Sequence, residues 1–138
     1  MVELKQHLKE FGMKHCPIDN SLKVFGKKFT MHLVRNMLLL KQKKFSEFLR
    51  TIEGINTKTL SIRLREMESE GLIRRKIIDK RPLRVEYTLT EKGKALEPLL
   101  VQIGNFSMQW EPKKIFKKEK PMTVMQTYGT QRLSKIWD

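Results

Sequence analysis

The sequence predicts a mainly α chain carrying one small β-hairpin. Three observations lead there. Through the first half of the chain, apolar residues recur at helical spacing, as in Leu4, Leu8 and Phe11. Between Leu72 and Gly93 the pattern changes, and Val85, Tyr87 and Leu89 alternate with Arg84, Glu86 and Thr88. This period of two is that of a strand. Helical spacing then returns with Leu96, Leu99, Leu100 and Ile103.

Taken in order, Leu4, Leu8 and Phe11 form one stripe of a short helix that Gly12 ends. In "CPIDNSLKVFG", Pro17 suits a first helical position, where its missing N–H is harmless. Ile18, Leu22 and Phe25 then share a face, and Gly26 closes the segment. "KKFTMHLVRNMLLLK" is a longer helix, with Phe29, Leu33, Met37 and Leu40 aligned, and the basic "KQKK" follows. Ser46 is expected to cap the short helix "SEFLRTI" through its side-chain oxygen. "EGIN" is a tight turn containing Gly54. Asn56 or Thr57 caps the next helix, "TKTLSIRLREMESE", which stops at Gly71. Two strand candidates joined by "DKRPLR" come next. Thr90 then caps one further helix, "EKGKALEPLLVQIGNF", which Pro98 is expected to kink. A short helix, a glycine-containing turn and a second capped helix make a helix-turn-helix. A hairpin directly after it makes the arrangement a winged helix-turn-helix.

The chain has 138 residues, enough for one domain with a real core. We divide it into residues 1–109, the winged helix-turn-helix with flanking helices, and 110–138, a C-terminal extension. Lys and Arg number 29 against 15 Asp and Glu, a net charge of +14. That excess favours a polyanionic partner, nucleic acid or an anionic surface, over neutral ones. Cys16 is the only cysteine, which excludes an internal disulfide and a cysteine-based zinc site and fits a reducing compartment. His7, His15 and His32 lack metal-ligand spacing. No apolar run approaches the roughly 20 residues that span a bilayer. A soluble cytoplasmic protein, without metal, cofactor or membrane partner, is the expectation.

Placement of charge narrows the partner. On a wheel of 100° per residue, Leu60, Leu64 and Met67 of the helix from Thr57 to Glu70 face inward. Lys58, Ile62, Arg65 and Ser69 lie opposite, flanked by Thr59 and Ser61. Such a face suits the major groove of DNA: lysine and arginine donate to guanine, hydroxyls adapt to several base edges, and an isoleucine meets a thymine methyl. Lys80, Arg81 and Arg84 crowd the hairpin tip, where they repel one another without a partner. Across residues 79–84 they would meet flanking phosphates or the minor groove, releasing counterions. Ser46 opens the first helix of the pair, whose amides could hold a phosphate, and Lys43 and Lys44 lie beside it. The candidate DNA contacts are therefore Lys44, Ser46, Thr57, Lys58, Thr59, Ser61, Ile62, Arg63, Arg65, Lys80, Arg81 and Arg84. The plainer alternatives are a solvated helix face and a hairpin edge protected by charge.

"CPIDNSLKVFGKKFT", "KKFSEFLRTIEGINTKTLSIRLREMESEGLI" and "RVEYTLTEKG", in this order and spacing, resemble the HxlR-type winged-helix transcriptional regulators, with MarR-type regulators as more remote relatives. The resemblance runs from about Cys16 to Phe106. It implies a homodimer joined through its first and last helices, reading a pseudo-palindromic operator. The stripe of Leu4, Leu8 and Phe11 and the breadth of Leu96, Leu99, Leu100 and Ile103 offer suitable surfaces. Phe29 stands where the family commonly has tryptophan. The extension is longer than in many members, and Ile115, Phe116, Met122, Val124, Met125, Tyr128, Leu133, Ile136 and Trp137 make it apolar enough to pack on the dimer or form another short helix.

Some regulators similar to this one sense oxidants through a cysteine at the position of Cys16. Here Cys16 precedes Pro17 at a helix start, beside Lys14 and His15, where a thiolate is favoured. The competing reading, which we prefer, is a cysteine packed as a small hydrophobe. Two other classes of function are weighed. A winged-helix module binding RNA or a protein is compatible with the fold, but no stacking surface supports it, because Tyr87 reads as core. An enzyme is not expected, because His15 and Cys16 are adjacent and Glu66, Glu68 and Glu70 do not converge on one helix face.

Overall fold

A computed structural model of the chain describes residues 2–128. Its elements are α1 (Val2–Glu10), α2 (Pro17–Phe25), α3 (Thr30–Leu39), α4 (Phe45–Thr51), α5 (Thr57–Ser69), β1 (Ile73–Lys80), β2 (Leu83–Leu89), α6 (Glu91–Lys94), α7 (Glu97–Trp110), α8 (Pro112–Ile115) and α9 (Val124–Tyr128). The strands form one antiparallel hairpin, paired from Ile73↔Leu89 to Lys80↔Leu83. A shift in register between Ile77 and Asp79 leaves Ile78 as the extra residue of a bulge.

The core lies where α3, α4, α5 and the hairpin base meet. Leu33, Val34, Phe48, Leu60, Leu64, Met67, Leu72 and Ile73 are its most enclosed side chains. Phe29, in the place of the family tryptophan, is buried there too, with its backbone left-handed (φ 77°) at the α3 N-cap. Met37 joins this core, whereas Leu40, expected on the same stripe, is exposed: α3 ends at Leu39 and Leu40 becomes its C-cap.

A buried polar cluster fixes α4 against α3. Asn36, wholly enclosed, donates from Nδ2 to Gln42 Oε1 and to Thr51 Oγ1, each at 2.9 Å. Its Oδ1 accepts from Arg35 Nε at 2.9 Å. A buried amide of this kind holds its place because each polar atom has a partner.

Two expectations about helix ends are corrected. Ser46 does not cap α4. Lys44 is the N-cap, and the Glu47 carboxylate accepts from the backbone N–H groups of Lys43 (3.2 Å) and Lys44 (3.0 Å). The Lys43 hydrogen bond above all, then the Lys44 hydrogen bond and the Lys44 and Arg50 charges, hold the Glu47 carboxyl below its usual range against desolvation. Glu47 thus supplies the anion at this helix start that Ser46 was expected to leave for a phosphate. The single helix expected from Glu91 to Phe106 is two. Gly93 in α6 lies so close to the hairpin that a Cβ there would sit 2.1 Å from the Leu72 carbonyl oxygen. Pro98 then falls in the first turn of α7, where its missing N–H is tolerated.

The extension beyond Trp110 forms α8 and α9 and folds back on α7 of its own chain. Val124 is buried with Val101 and Met108. Its N–H donates to Asn105 Oδ1 at 2.7 Å, and Gln109 Nε2 donates to the Met122 carbonyl. Gly104 makes this approach feasible, since a Cβ there would meet Val124 Cγ2 at 2.6 Å. Leu133, Ile136 and Trp137 lie outside the described residues.

Candidate nucleic-acid interface

The candidate reading surface is built on α5. Asn56 is its N-cap, with Oδ1 accepting from the Thr59 N–H at 2.8 Å, which settles the choice left between Asn56 and Thr57. Gly54 (φ 81°) turns the chain between α4 and α5. At the far end Gly71 (φ 76°) allows the Leu72 N–H to return to the Met67 carbonyl, a left-handed stop that directs the chain into β1. Leu60, Leu64 and Met67 anchor the inner face.

The outer face emerges as the spacing predicts. Thr57, Lys58, Ile62, Arg65 and Ser69 are exposed, and Thr59 and Ser61 are half-buried at its margins. Ile62 is 38% exposed, although an isoleucine gains nothing from water there. Arg63 is different. Its Nε donates to the Lys28 carbonyl at 2.7 Å and its Nη1 pairs with Glu66 Oε2 at 3.0 Å, leaving the side chain 18% exposed. Glu66 also pairs with Lys27 at 3.1 Å. Partial burial opposes its ionisation, but Lys27 and Arg63 prevail and hold its carboxyl below the usual range. Arg63, which sequence reasoning placed among the contacts, is committed to joining α5 to the segment before α3.

The hairpin is pinned to the same unit. The Tyr87 N–H donates to the Lys43 carbonyl at 2.8 Å, and the Tyr87 ring lies 6.3 Å from that of Phe48. Its base is therefore fixed to the α3–α4 connection while its tip projects. Lys80, Arg81 and Arg84 are exposed at or beside that tip. They are less unbalanced than their composition implies: Asp79 pairs with Arg84 at 3.5 Å and accepts from the Arg81 N–H at 3.2 Å.

Between the hairpin and the helix pair run two adjoining hollows, of about 520 and 420 Å³, which share Phe45, Arg75 and Tyr87. Lys44, Ser46 and Arg84 line the first, and Ser61 and Arg65 the second. The fold thus brings candidates from α4, α5 and the hairpin onto one continuous depression. Thr57, Lys58 and Ile62 continue the surface along α5. Arg75, exposed at the junction of the two hollows, was missed by sequence reasoning. Its partner opposite in the hairpin is Tyr87, so the strand register was the signal that could have found it. Cys16, at the N-cap of α2, is half-buried and makes no side-chain capping bond. Among the described residues no group of three or more His, Cys, Asp and Glu could hold a metal ion, and no helix is long and apolar enough to cross a membrane.

Residues 24–115 match the family described as HxlR-like helix-turn-helix. The chain is 35% identical over 96 residues to the HTH-type transcriptional regulator YvaP of Bacillus subtilis, covering 69% of this chain and 88% of that one. Among solved structures, it is similar to the redox regulator HypR in its oxidized form, with a TM-score of 0.60 and 34% identity over 67% of this chain and 94% of that one. The reduced form of the transcriptional regulator YodB from B. subtilis is similar with a TM-score of 0.59 and 31% identity, over 71% of this chain and 97% of that one.

Proposed function

The chain belongs to the HxlR-like helix-turn-helix family, and from that premise we propose how its surface reads DNA. It is a winged helix-turn-helix transcriptional regulator that binds DNA, not an enzyme. In our reading α5 enters the major groove with Lys58, Ile62 and Arg65 towards base edges and Thr57, Thr59 and Ser61 alongside. The hairpin carries Lys80, Arg81 and Arg84 to the flanking phosphates or minor groove, and Lys44 and Ser46 approach the backbone between them. Arg75 joins the contacts, and Arg63 serves as a brace. The observation that carries this reading is the shared depression: Lys44, Arg65, Arg75 and Arg84, from both helices of the pair and the hairpin, face it and outnumber the two acidic residues of its lining, Glu68 and Glu86.

Selection of bound fragments from random duplex DNA tests it. The expected outcome is an enriched sequence with two related half-sites. Enrichment without sequence preference would refute base reading by α5, and preferential capture of RNA of matched length would favour the RNA-binding alternative.

We further propose that two copies associate through α1 and α7. Phe11, in the turn that follows α1, is 66% exposed, and Phe106 and Trp110 on α7 are 62% and 77% exposed. Side chains so large and apolar are ordinarily covered, and a second copy presenting the same faces would cover them. The two-fold symmetry that results favours half-sites about 34 Å apart, or a multiple of that.

The likeness to HypR supports a second reading, in which Cys16 is an oxidant sensor. Two Cys16 thiols would lose two protons and two electrons to a peroxide and form a disulfide across the dimer. Mild peroxide should then give a band of doubled mass on a non-reducing gel, absent in Cys16→Ser. A band that persists in that variant, or no band at all, leaves Cys16 as a packing residue.

A further inference from the structure

A hollow of about 230 Å³ lies away from the reading surface, between α3, α7 and α9. Its walls are apolar, from Met31, Leu39, Leu100, Val101, Met108 and Val124. Arg35, His32 and Tyr128 complete the lining, and no acidic side chain is part of it. Val124 and Tyr128 come from the segment beyond residue 115, where the family match ends. One wall therefore lies outside the family match. An engineered apolar cavity of about 150 Å³ already accepts benzene, so this one has room for a ring with a short substituent.

We propose that this hollow is a binding site for a small apolar carboxylate, with the hydrocarbon body against the α3, α7 and α9 walls and the carboxylate on Arg35. Arginine is the fixed charge of the lining, and its planar fork suits two carboxylate oxygens. His32 adds a hydrogen-bonding group. Partial desolvation, then the nearby Arg35 and Lys28 charges, push its titration below the ordinary range, so Arg35 supplies the charge at neutral pH. The same guanidinium donates to Asn36 Oδ1, and Asn36 holds Gln42 and Thr51. A carboxylate that draws on Arg35 therefore acts on the cluster that seats α4 against α3. If the DNA-reading proposal is right, occupancy is felt at the helix pair; binding itself does not depend on that proposal.

Calorimetric titration of the full chain with phenylbutyrate and with its neutral isostere phenylbutyramide tests the site without DNA. The acid should bind about tenfold more tightly, the order expected of one charge-assisted hydrogen bond. Arg35→Gln should erase the preference, Arg35→Lys should retain part of it, and Met31→Trp, which fills the hollow from a half-buried position, should weaken both ligands. In amide-resolved NMR spectra of the wild-type chain, the acid should move Gln42 and Thr51 as well as residues of the hollow. Equal binding of acid and amide to the wild type would overturn the proposal. So would a preference that survives Arg35→Gln, or binding untouched by Met31→Trp. Shifts confined to the hollow would overturn the link to α4.

Discussion

Arg63 and Arg65 are the same residue type two positions apart on one helix, and the fold gives them opposite work. At 100° per residue they diverge by about 200°. Arg63 is turned towards the segment before α3, where the Lys28 carbonyl and Glu66 hold it. Arg65 stands on the outer face beside the hairpin. We expect Arg65→Ala to lose about 1–3 kcal/mol of discrimination at one base pair, with little change in stability. Arg63→Ala should instead lower stability by about 1 kcal/mol, the worth of an ordinary hydrogen bond, and leave the order of preferred sequences intact. Competition binding against single-base variants, together with urea unfolding, separates the two. Glu66 gives this brace a pH dependence. Its folded carboxyl titrates below the value of 4.5 expected of a free glutamate. A depressed folded value contributes stability above the unfolded value, and that contribution is lost as pH falls through the folded one. The stability gap between wild type and Glu66→Gln should thus be constant near neutrality and close as pH falls below 4.5 and through the folded value. A gap that widens in acid would contradict the assignment.

Most elements could be read from the chain because local rules and tertiary packing agree. Asn56, Gly54 and Gly71 each occupy the position that their chemistry favours, and α5 begins and ends accordingly. Asn56→Ala should therefore cost about 1 kcal/mol of stability, seen as a lower melting temperature, through loss of the Thr59 N–H partner. Where reading failed, a longer-range contact decided. Ser46 has the right side chain for a cap, but the Glu47 carboxylate reaches back to two amides and moves the helix start to Phe45. The segment after Thr90 has helical periodicity throughout, but Pro98 lacks the N–H a continuous helix needs, so α6 ends and Pro98 falls in the first turn of α7, while Gly93 fits under the Leu72 carbonyl. Arg75 escaped notice because its importance depends on pairing with Tyr87 across the hairpin, a register that β1 alone does not reveal. The hairpin tip was legible in composition but not in balance, since Asp79 offsets part of its charge. Arg81, whose side chain forms no ion pair among the described residues, is then the cleaner probe of phosphate contact. Arg81→Ala should weaken binding to all sequences alike and reduce the slope of log affinity against log salt by about 1. An unchanged slope would remove the tip from the interface.

At the scale of the whole molecule, the largest exposed apolar side chains cluster on the segments flanking the helix-turn-helix, although Leu40 and Leu83 are also more than half exposed. Phe11, Ile18, Leu22, Phe106 and Trp110 all exceed half exposure, while α3, α4 and α5 enclose their own core. Among the described residues no element covers those side chains, and α9 is already committed to the Val101–Met108 side of α7. If a second copy covers them, an introduced charge appears twice in an isologous contact, once from each partner. Phe106→Glu replaces a side chain that is 62% exposed in the single chain, so it should leave folding intact and act on association alone. Two buried glutamates would each lose hydration without gaining a partner, and the sedimenting mass should fall by half relative to wild type. Affinity for an isolated half-site should then be unchanged, because the reading surface of each copy is whole. Affinity for a full site should drop by about 10²–10⁴, the loss of linking two modules. A wild-type chain that sediments as one copy at micromolar concentration, or a Phe106→Glu chain that keeps full-site affinity, would show that the two-fold arrangement does not form through α7.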